Sequence, residues 1–174
     1  MKQIIAPVIV GACVVTAAPV GISAAESHDA CVGPAFRAFD FMVGKWDIVD
    51  GSNDKVVGHT TIEPIENGCA LLETFSGVTG RTGRSLNIFD PVAQRWSQDF
   101  VGLGIKTHTE GVIRDGVMHM DKGSIVYLNR GVVHRFKGFW KPLPNGDVDN
   151  IYYEQDPKAS HWTIWFHSIY RKAA

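Results

Sequence analysis

The chain has 174 residues, which is enough for one domain with a substantial core. Its 17 basic and 18 acidic residues give a formal net charge of −1, so it lacks the basic field that binds nucleic acid or anionic lipid. Charged residues at 20% and aromatic residues at 10% describe a packed globular domain and exclude a disordered chain or a coiled coil. We therefore expect no nucleic-acid partner.

The N-terminus contains the three parts of a secretory signal peptide. Lys2 precedes an apolar run over 4–18, and small residues follow at 23–25 before the chain turns polar. This arrangement predicts cleavage after Ala25 and export, with the periplasm as the expected compartment. The predicted parts of the chain are a signal peptide (1–25), an N-terminal arm (26–38) and a barrel domain (39–174).

Two alternatives to a cleaved signal peptide are weaker. Pro7 and Pro19 interrupt or end the apolar run, which makes it a poor spanning helix of marginal length. A lipid-modified Cys13 would have to be the first residue of the mature chain, yet the apolar run continues well past it. We therefore expect no stable membrane anchor.

Export changes the interpretation of the cysteines. Cys13 leaves with the signal peptide, so Cys31 and Cys69 remain as an even pair in an oxidising compartment. A disulfide that joins the N-terminal arm to the domain is the natural hypothesis. The alternative is that Cys69 is a small buried apolar residue and that Cys31 is a free thiol.

The mature chain consists of short segments rich in β-branched and aromatic residues, separated by turn sequences such as Asp115-Gly116. Apolar residues at helical spacing are not sustained, and one short helical turn is predicted at 35–39. Strands are predicted at 42–50, 55–65, 69–76, 83–90, 94–102, 106–114, 117–122, 131–141, 147–156 and 161–171.

Ten strands joined by short connections must protect their edges, and an all-β, up-and-down antiparallel barrel does so by closure. A β-sandwich is the alternative, but it requires long crossing connections that the sequence lacks. A barrel of about ten strands is wider than the eight strands whose interior side chains just fill. The sequence therefore predicts a central cavity.

A family resemblance supports the same fold. Phe39-Asp40-Phe41 followed by Gly44-Lys45-Trp46 resembles the opening of lipocalin-like (calycin) barrels. The wider pattern, which spans about 39–172, is similar to an uncharacterised bacterial domain family with a lipocalin-like barrel. Its further matching segments are 68–73, 83–90, 95–99, 145–148 and 162–172. Because that family has no established activity, the resemblance implies a barrel with a cavity and no particular reaction.

The Gly-x-Trp sequence has a structural interpretation. Trp46 can close one end of the barrel, and we expect Arg171 on the last strand to stack over its ring. That contact would connect the first and last strands, as closure requires. We interpret both residues as structural.

Strand alternation suggests which polar residues face the cavity. We favour those with aromatic or apolar residues two positions away, because a mixture of apolar walls and a few polar groups is typical of a small-molecule site. The alternative is that these polar residues face solvent, since one β-bulge inverts the phase of every residue beyond it. The predicted ligand-binding residues are Glu73, Ser85, Asn87, Gln98, Arg135, Tyr152, Glu154 and Trp162.

The histidines do not follow a zinc-binding spacing, and no nucleophile motif or phosphate-binding loop is recognisable. His108 with Glu110, and His119 with Asp121, share strand faces as candidate ligand or acid/base pairs. We expect no metal and no cofactor. The glycine-rich loop at 77–83 is interpreted as a flap over one end of the barrel.

The sequence favours a secreted protein that binds a small apolar or aromatic molecule in the barrel. The alternative is an acid/base enzyme, namely an isomerase, lyase or hydrolase acting on a small aromatic substrate in the same cavity. Its candidate groups are Glu154 with Arg135, or a histidine with Glu73. A third interpretation is an interaction module with no small ligand.

Overall fold

The computed structural model describes residues 31–173, which form a closed antiparallel barrel of ten strands. Neighbouring strands in the sequence are neighbours in the barrel, and the first strand pairs with the last to close it. The strands are β1 (Gly44–Asp50), β2 (Val56–Ile65), β3 (Ala70–Gly77), β4 (Thr82–Asp90), β5 (Arg95–Gly102), β6 (Ile105–Arg114), β7 (Val117–Tyr127), β8 (Val132–Pro142), β9 (Val148–Gln155) and β10 (Thr163–Lys172). The predicted up-and-down barrel is confirmed, and the sandwich alternative is wrong.

The predicted signal peptide and the first part of the predicted arm lie outside the described residues. None of the helices in residues 31–173 is long and apolar enough to cross a membrane.

The strand bounds differ most from prediction in β7, which extends to Tyr127 where the sequence predicts an end at 122. A register shift between Met120 and Ser124 interrupts its pairing with β8, and another shift in β6 follows Glu110. These irregularities break the alternation at Lys122 and Gly123, so the second half of β7 does not show a regular strand pattern in the sequence.

The N-terminal segment closes one end of the barrel. Helix α1 (Pro34–Arg37) and a 3-10 turn at Asp40–Met42 lie ahead of β1, in the region of the predicted helical turn. Phe39 between them is buried, with its ring centroid 5.6 Å from that of Trp96 and 5.8 Å from that of Trp140. These aromatic contacts fill the end of the barrel with side chains.

A disulfide between Cys31 and Cys69 fixes this segment to the turn between β2 and β3, as the sequence predicted. The Arg37 guanidinium also donates to the carbonyl of Gly68 in that turn. The plugged end therefore has one covalent and one polar connection to the barrel wall.

The predicted stacking of Arg171 on Trp46 is wrong. Trp46 is opposite Lys172 in the β1–β10 register, and the Lys172 ammonium lies 4.4 Å from the centre of the indole ring. Arg171, one residue earlier, lies on the opposite face of the strand and donates to Asp54 at 2.5 Å. A cation on the last strand does contact Trp46 on the first strand, but that cation is Lys172, one position after Arg171.

Candidate ligand-binding cavity

A cavity of about 250 Å³ occupies the half of the barrel away from the N-terminal plug. Thr79 and Arg81, in the loop between β3 and β4, line it and are themselves exposed, so the cavity meets solvent at this end. The predicted flap at 77–83 therefore stands at the cavity mouth. The aromatic wall of the cavity is formed by Phe75, Phe100, Phe136, Trp165 and Phe166.

Two phenylalanine rings of the aromatic wall lie against glycines of the neighbouring strands. A Cβ on Gly83 of β4 would overlap the ring of Phe100, and a Cβ on Gly58 of β2 would overlap that of Phe75. Each ring therefore occupies the position that a Cβ atom on the neighbouring strand would need. The absence of that Cβ lets the ring pack against the backbone of the barrel wall. The space in the middle of the barrel remains unfilled for this reason.

The floor of the cavity is a continuous hydrogen-bonded chain of buried polar side chains. Trp140 Nε1 donates to the Tyr152 hydroxyl at 3.1 Å, and that hydroxyl donates to Gln98 Oε1 at 2.7 Å. The Gln98 amide donates to Asn87 Oδ1 at 2.9 Å, and Asn87 Nδ2 donates to Ser85 Oγ at 3.2 Å. Because its members are satisfied by one another, the chain fixes their orientations in a low-dielectric interior.

Glu73 is at the end of this chain and lines the cavity with only 5% of its surface exposed. Ser85 Oγ donates to Glu73 Oε2 at 2.8 Å, and Thr60 Oγ1 lies 3.1 Å from Oε1. The Tyr170 hydroxyl makes a longer contact of 3.5 Å with Oε1. Burial raises the pKa of the Glu73 carboxyl, and the hydrogen bonds from Ser85, Thr60 and Tyr170 oppose that shift.

The two buried tyrosines of the floor remain neutral donors. Burial raises the pKa of the Tyr152 phenol above its ordinary value, and it raises that of Tyr170 in the same direction. The neighbouring Glu73 carboxyl adds to both shifts. The floor thus offers phenol and amide groups for hydrogen bonding and one carboxyl that can exchange a proton.

Five of the predicted site residues belong to this arrangement. Glu73, Gln98 and Tyr152 line the cavity, and Ser85 and Asn87 are buried immediately behind them in the same chain of hydrogen bonds. Their inward orientation agrees with the predicted strand phase.

Glu154 also faces inward, but it belongs to a separate cluster near the open end. Its Oε2 accepts a hydrogen bond from the Tyr127 hydroxyl at 2.6 Å and lies 2.9 Å from His134 Nδ1. About a fifth of the Glu154 side chain is exposed. Burial and the carboxylate raise the pKa of the Tyr127 phenol.

Arg135 and Trp162 do not reach the cavity. Arg135 is exposed, because Phe136 and Trp140 are the inward residues of β8 and the predicted phase of this strand is inverted. The predicted acid/base pair of Arg135 with Glu154 therefore does not form.

Trp162 precedes β10, and the Lys137 ammonium lies 4.2 Å from the centre of its ring, on the outside of the barrel. A bulge between Ile164 and Phe166 puts both Trp165 and Phe166 at the cavity and leaves Ile164 on the outer face. Trp165 was missed for this reason, because alternation alone assigns it to the outer face.

The predicted phase of β8 is inverted, so strand alternation did not predict that Phe136 and Trp140 face the cavity. Phe136 stacks on Tyr152 with centroids 4.7 Å apart and an interplanar angle of 2°. The sequence does place Phe136, Gly138 and Trp140 at alternate positions of one face, and in the structure a Cβ on Gly138 would overlap the Tyr152 ring.

The histidine pairs lie on the outer face. His108 contacts Glu110 at 3.5 Å and Asp99 at 2.9 Å, and Asp121 is bound by Arg95 at 2.5 Å. Within residues 31–173, no group of three His, Cys, Asp or Glu side chains is arranged to hold a metal ion.

No protein-family model matches the chain, and no curated protein matches it significantly. Functional inference therefore rests on the cavity and its side chains.

Proposed function

We propose that the protein binds a small apolar or aromatic molecule inside its barrel. The observation that supports this function is a cavity of about 250 Å³ with an aromatic wall and a polar floor. An apolar protein cavity of about 150 Å³ holds a benzene molecule, so the space suits a ring that carries a short substituent. Small-molecule sites typically combine such walls with a few fixed polar groups.

The arrangement of the lining favours one orientation of the ligand. Its ring would contact Phe100, Phe136 and Trp165, where apolar area is removed from water, and its polar substituent would reach the floor. Glu73, Gln98 and Tyr152 are the floor residues placed to bind that substituent.

We also propose that this binding takes place after export, in the periplasm. The Cys31–Cys69 disulfide supports an oxidising compartment, and the signal-like N-terminus supports secretion. Membership of the lipocalin-like family suggested by the sequence is part of the same proposal.

Tryptophan fluorescence tests binding directly, because Trp140 and Trp165 line the cavity. Titration with small neutral aromatic molecules should give saturable quenching. Gly83→Ala should weaken binding at least about tenfold, since its Cβ forces the Phe100 ring into the cavity.

The matched control is the double variant Gly83→Ala/Phe100→Leu, which removes the displaced ring and should restore part of the binding, because the ligand also loses its contact with Phe100. Quenching that is unchanged in Gly83→Ala would place the bound molecule outside the cavity. A wild-type protein that binds none of the aromatic molecules would contradict the proposed function.

Acid/base catalysis is the second candidate, and the cluster at the open end supports it. Glu154 bridges the Tyr127 phenol and the His134 ring, and Trp165 of the cavity wall adjoins Tyr127. Such a hydrogen-bonded group can pass a proton to a ligand at the mouth.

Each ligand that binds should be incubated with the protein and followed by NMR. The enzymatic function predicts conversion that Glu154→Gln abolishes while the Kd is unchanged. Ligands recovered intact from the wild-type protein would argue against catalysis and leave binding as the function.

A further inference from the structure

Glu73 is a carboxyl in the cavity floor that lacks a basic partner. Among the lining side chains in the described part of the chain, Arg81 is the one strong base, and it is at the mouth on an exposed loop. The neighbouring groups that shift the pKa of the Glu73 carboxyl are hydroxyls, and no cation is among them. Buried carboxylates in proteins are normally paired with a positive charge.

The hydroxyl groups around Glu73 suit its ionised form. An ionised carboxyl accepts about four hydrogen bonds, and at most three of these positions are occupied, by Ser85, Tyr170 and a Thr60 hydroxyl that is equally close to the Thr74 carbonyl. One acceptor position therefore remains for a donor that arrives in the cavity. A donor with a positive charge would supply the missing partner as well.

The aromatic surroundings favour a cation and disfavour an anion. Trp140 and Tyr170 line the cavity beside Glu73, with their ring centroids 4.9 Å apart, and Phe136 continues the wall. Aromatic ring faces attract ammonium groups, and the attraction increases when water is excluded. A ligand carboxylate would instead meet the Glu73 oxygens, with no base beside it.

We propose that the molecule bound in the barrel carries a protonated amine, and that Glu73 is the group that binds the ammonium. This inference rests on the proposed function and specifies its ligand as a small aromatic amine. No covalent bond forms or breaks.

Binding of an ammonium ion should change the pKa of Glu73. Burial raises the pKa of the Glu73 carboxyl, whereas a positive charge beside it favours the ionised form and lowers that pKa. The other titratable groups that face Glu73 are Tyr152 on β9 and Tyr170 on β10, which stay neutral, while β2 and β4 present Thr60 and Ser85. A neutral ligand would bring no charge that lowers the pKa of Glu73.

Isothermal titration calorimetry with three ligands of similar size tests the proposal. Phenethylamine, phenethyl alcohol and phenylacetate differ chiefly in the charge of the group that reaches the floor. We expect the amine to bind most tightly and the carboxylate to bind least. Repeating the amine titration at increasing pH from acid to neutral should show affinity that rises as Glu73 ionises, which requires no variant.

Glu73→Gln should weaken amine binding on the order of 30-fold, the change expected for loss of one partner in a buried charge pair. It should weaken phenethyl alcohol binding much less, because the glutamine amide can still form a hydrogen bond with a neutral hydroxyl. The matched control is Glu63→Gln, which removes an exposed carboxyl from the same part of the barrel and should bind the amine like the wild type.

The outcomes separate the two proposals. If phenethyl alcohol binds as tightly as phenethylamine, or if Glu73→Gln binds the amine as tightly as the wild type, the amine assignment is wrong and the binding function stands. If none of the three compounds binds, both proposals are wrong.

Discussion

Glu73 combines two opposing local effects. Burial disfavours its charge, while the donors Ser85 and Thr60 favour it, and the balance leaves the pKa of the carboxyl raised. A glutamate on the inner face of a strand is unusual in an apolar interior, and the structure accommodates it because the neighbouring strands supply hydroxyls at the same level.

The raised pKa of Glu73 makes stability depend on pH. The unfolded carboxyl titrates near its ordinary pKa of 4.5, whereas the folded carboxyl keeps its proton to higher pH. At pH values above 4.5 and up to the raised folded pKa, the folded state therefore binds more protons than the unfolded state. The contribution of Glu73 to the free energy of unfolding falls as pH rises through this range. Glu73→Gln removes this dependence, so the variant should gain stability relative to the wild type from acid to neutral pH.

Urea unfolding of both proteins at a series of pH values measures the difference, because contributions of the other carboxyls cancel. Glu63→Gln provides the comparison for an exposed carboxyl. A difference between Glu73→Gln and the wild type that is constant with pH would show that the folded and unfolded pKa values of Glu73 are equal.

At the scale of elements, the N-terminal segment makes the barrel asymmetric. Phe39 and Met42 fill one end, and the disulfide holds their segment on the β2–β3 turn. The other end has no comparable plug among the described residues, and the cavity opens there.

The disulfide should stabilise the plugged end. Replacing Cys31 and Cys69 together by serine should lower the free energy of unfolding by about 2–4 kcal/mol, since the bond constrains the unfolded chain. Circular dichroism should still show the β-sheet spectrum at low temperature. An unchanged urea midpoint under oxidising conditions would contradict a structural role for the bond.

The plug itself is tested by two phenylalanines that differ in burial. Phe39→Ala should cost about 3–5 kcal/mol, because its buried ring contacts Trp96 and Trp140. Phe41 is only half-buried and serves as the control, with a smaller expected loss. Equal effects of the two variants would mean that Phe39 does not hold this end of the barrel closed.

Strand phase limited what the sequence could predict about the site. Ser85, Asn87, Gln98 and Tyr152 lie on strands that alternate without interruption near them, so their inward orientation was predictable. The bulge in β10 hides Trp165, and the inverted phase of β8 misplaced Arg135. A bulge has no strong sequence signature because it depends on how two distant strands fit together.

At the scale of the whole molecule, the barrel and its disulfide were predictable from turn spacing and cysteine number, whereas the cavity volume was not. Closure with ten strands allows free space but does not guarantee it. The space depends on contacts such as Gly83 against Phe100, which appear only when the strands are in register.

X-ray diffraction from crystals of the protein pressurised with xenon tests the central claim most directly, because xenon enters apolar cavities without needing the natural ligand. The structure predicts a xenon atom inside the barrel, in contact with Phe100, Phe136 and Trp165. An interior filled by those rings, with no xenon bound, would contradict the cavity and the binding function that depends on it.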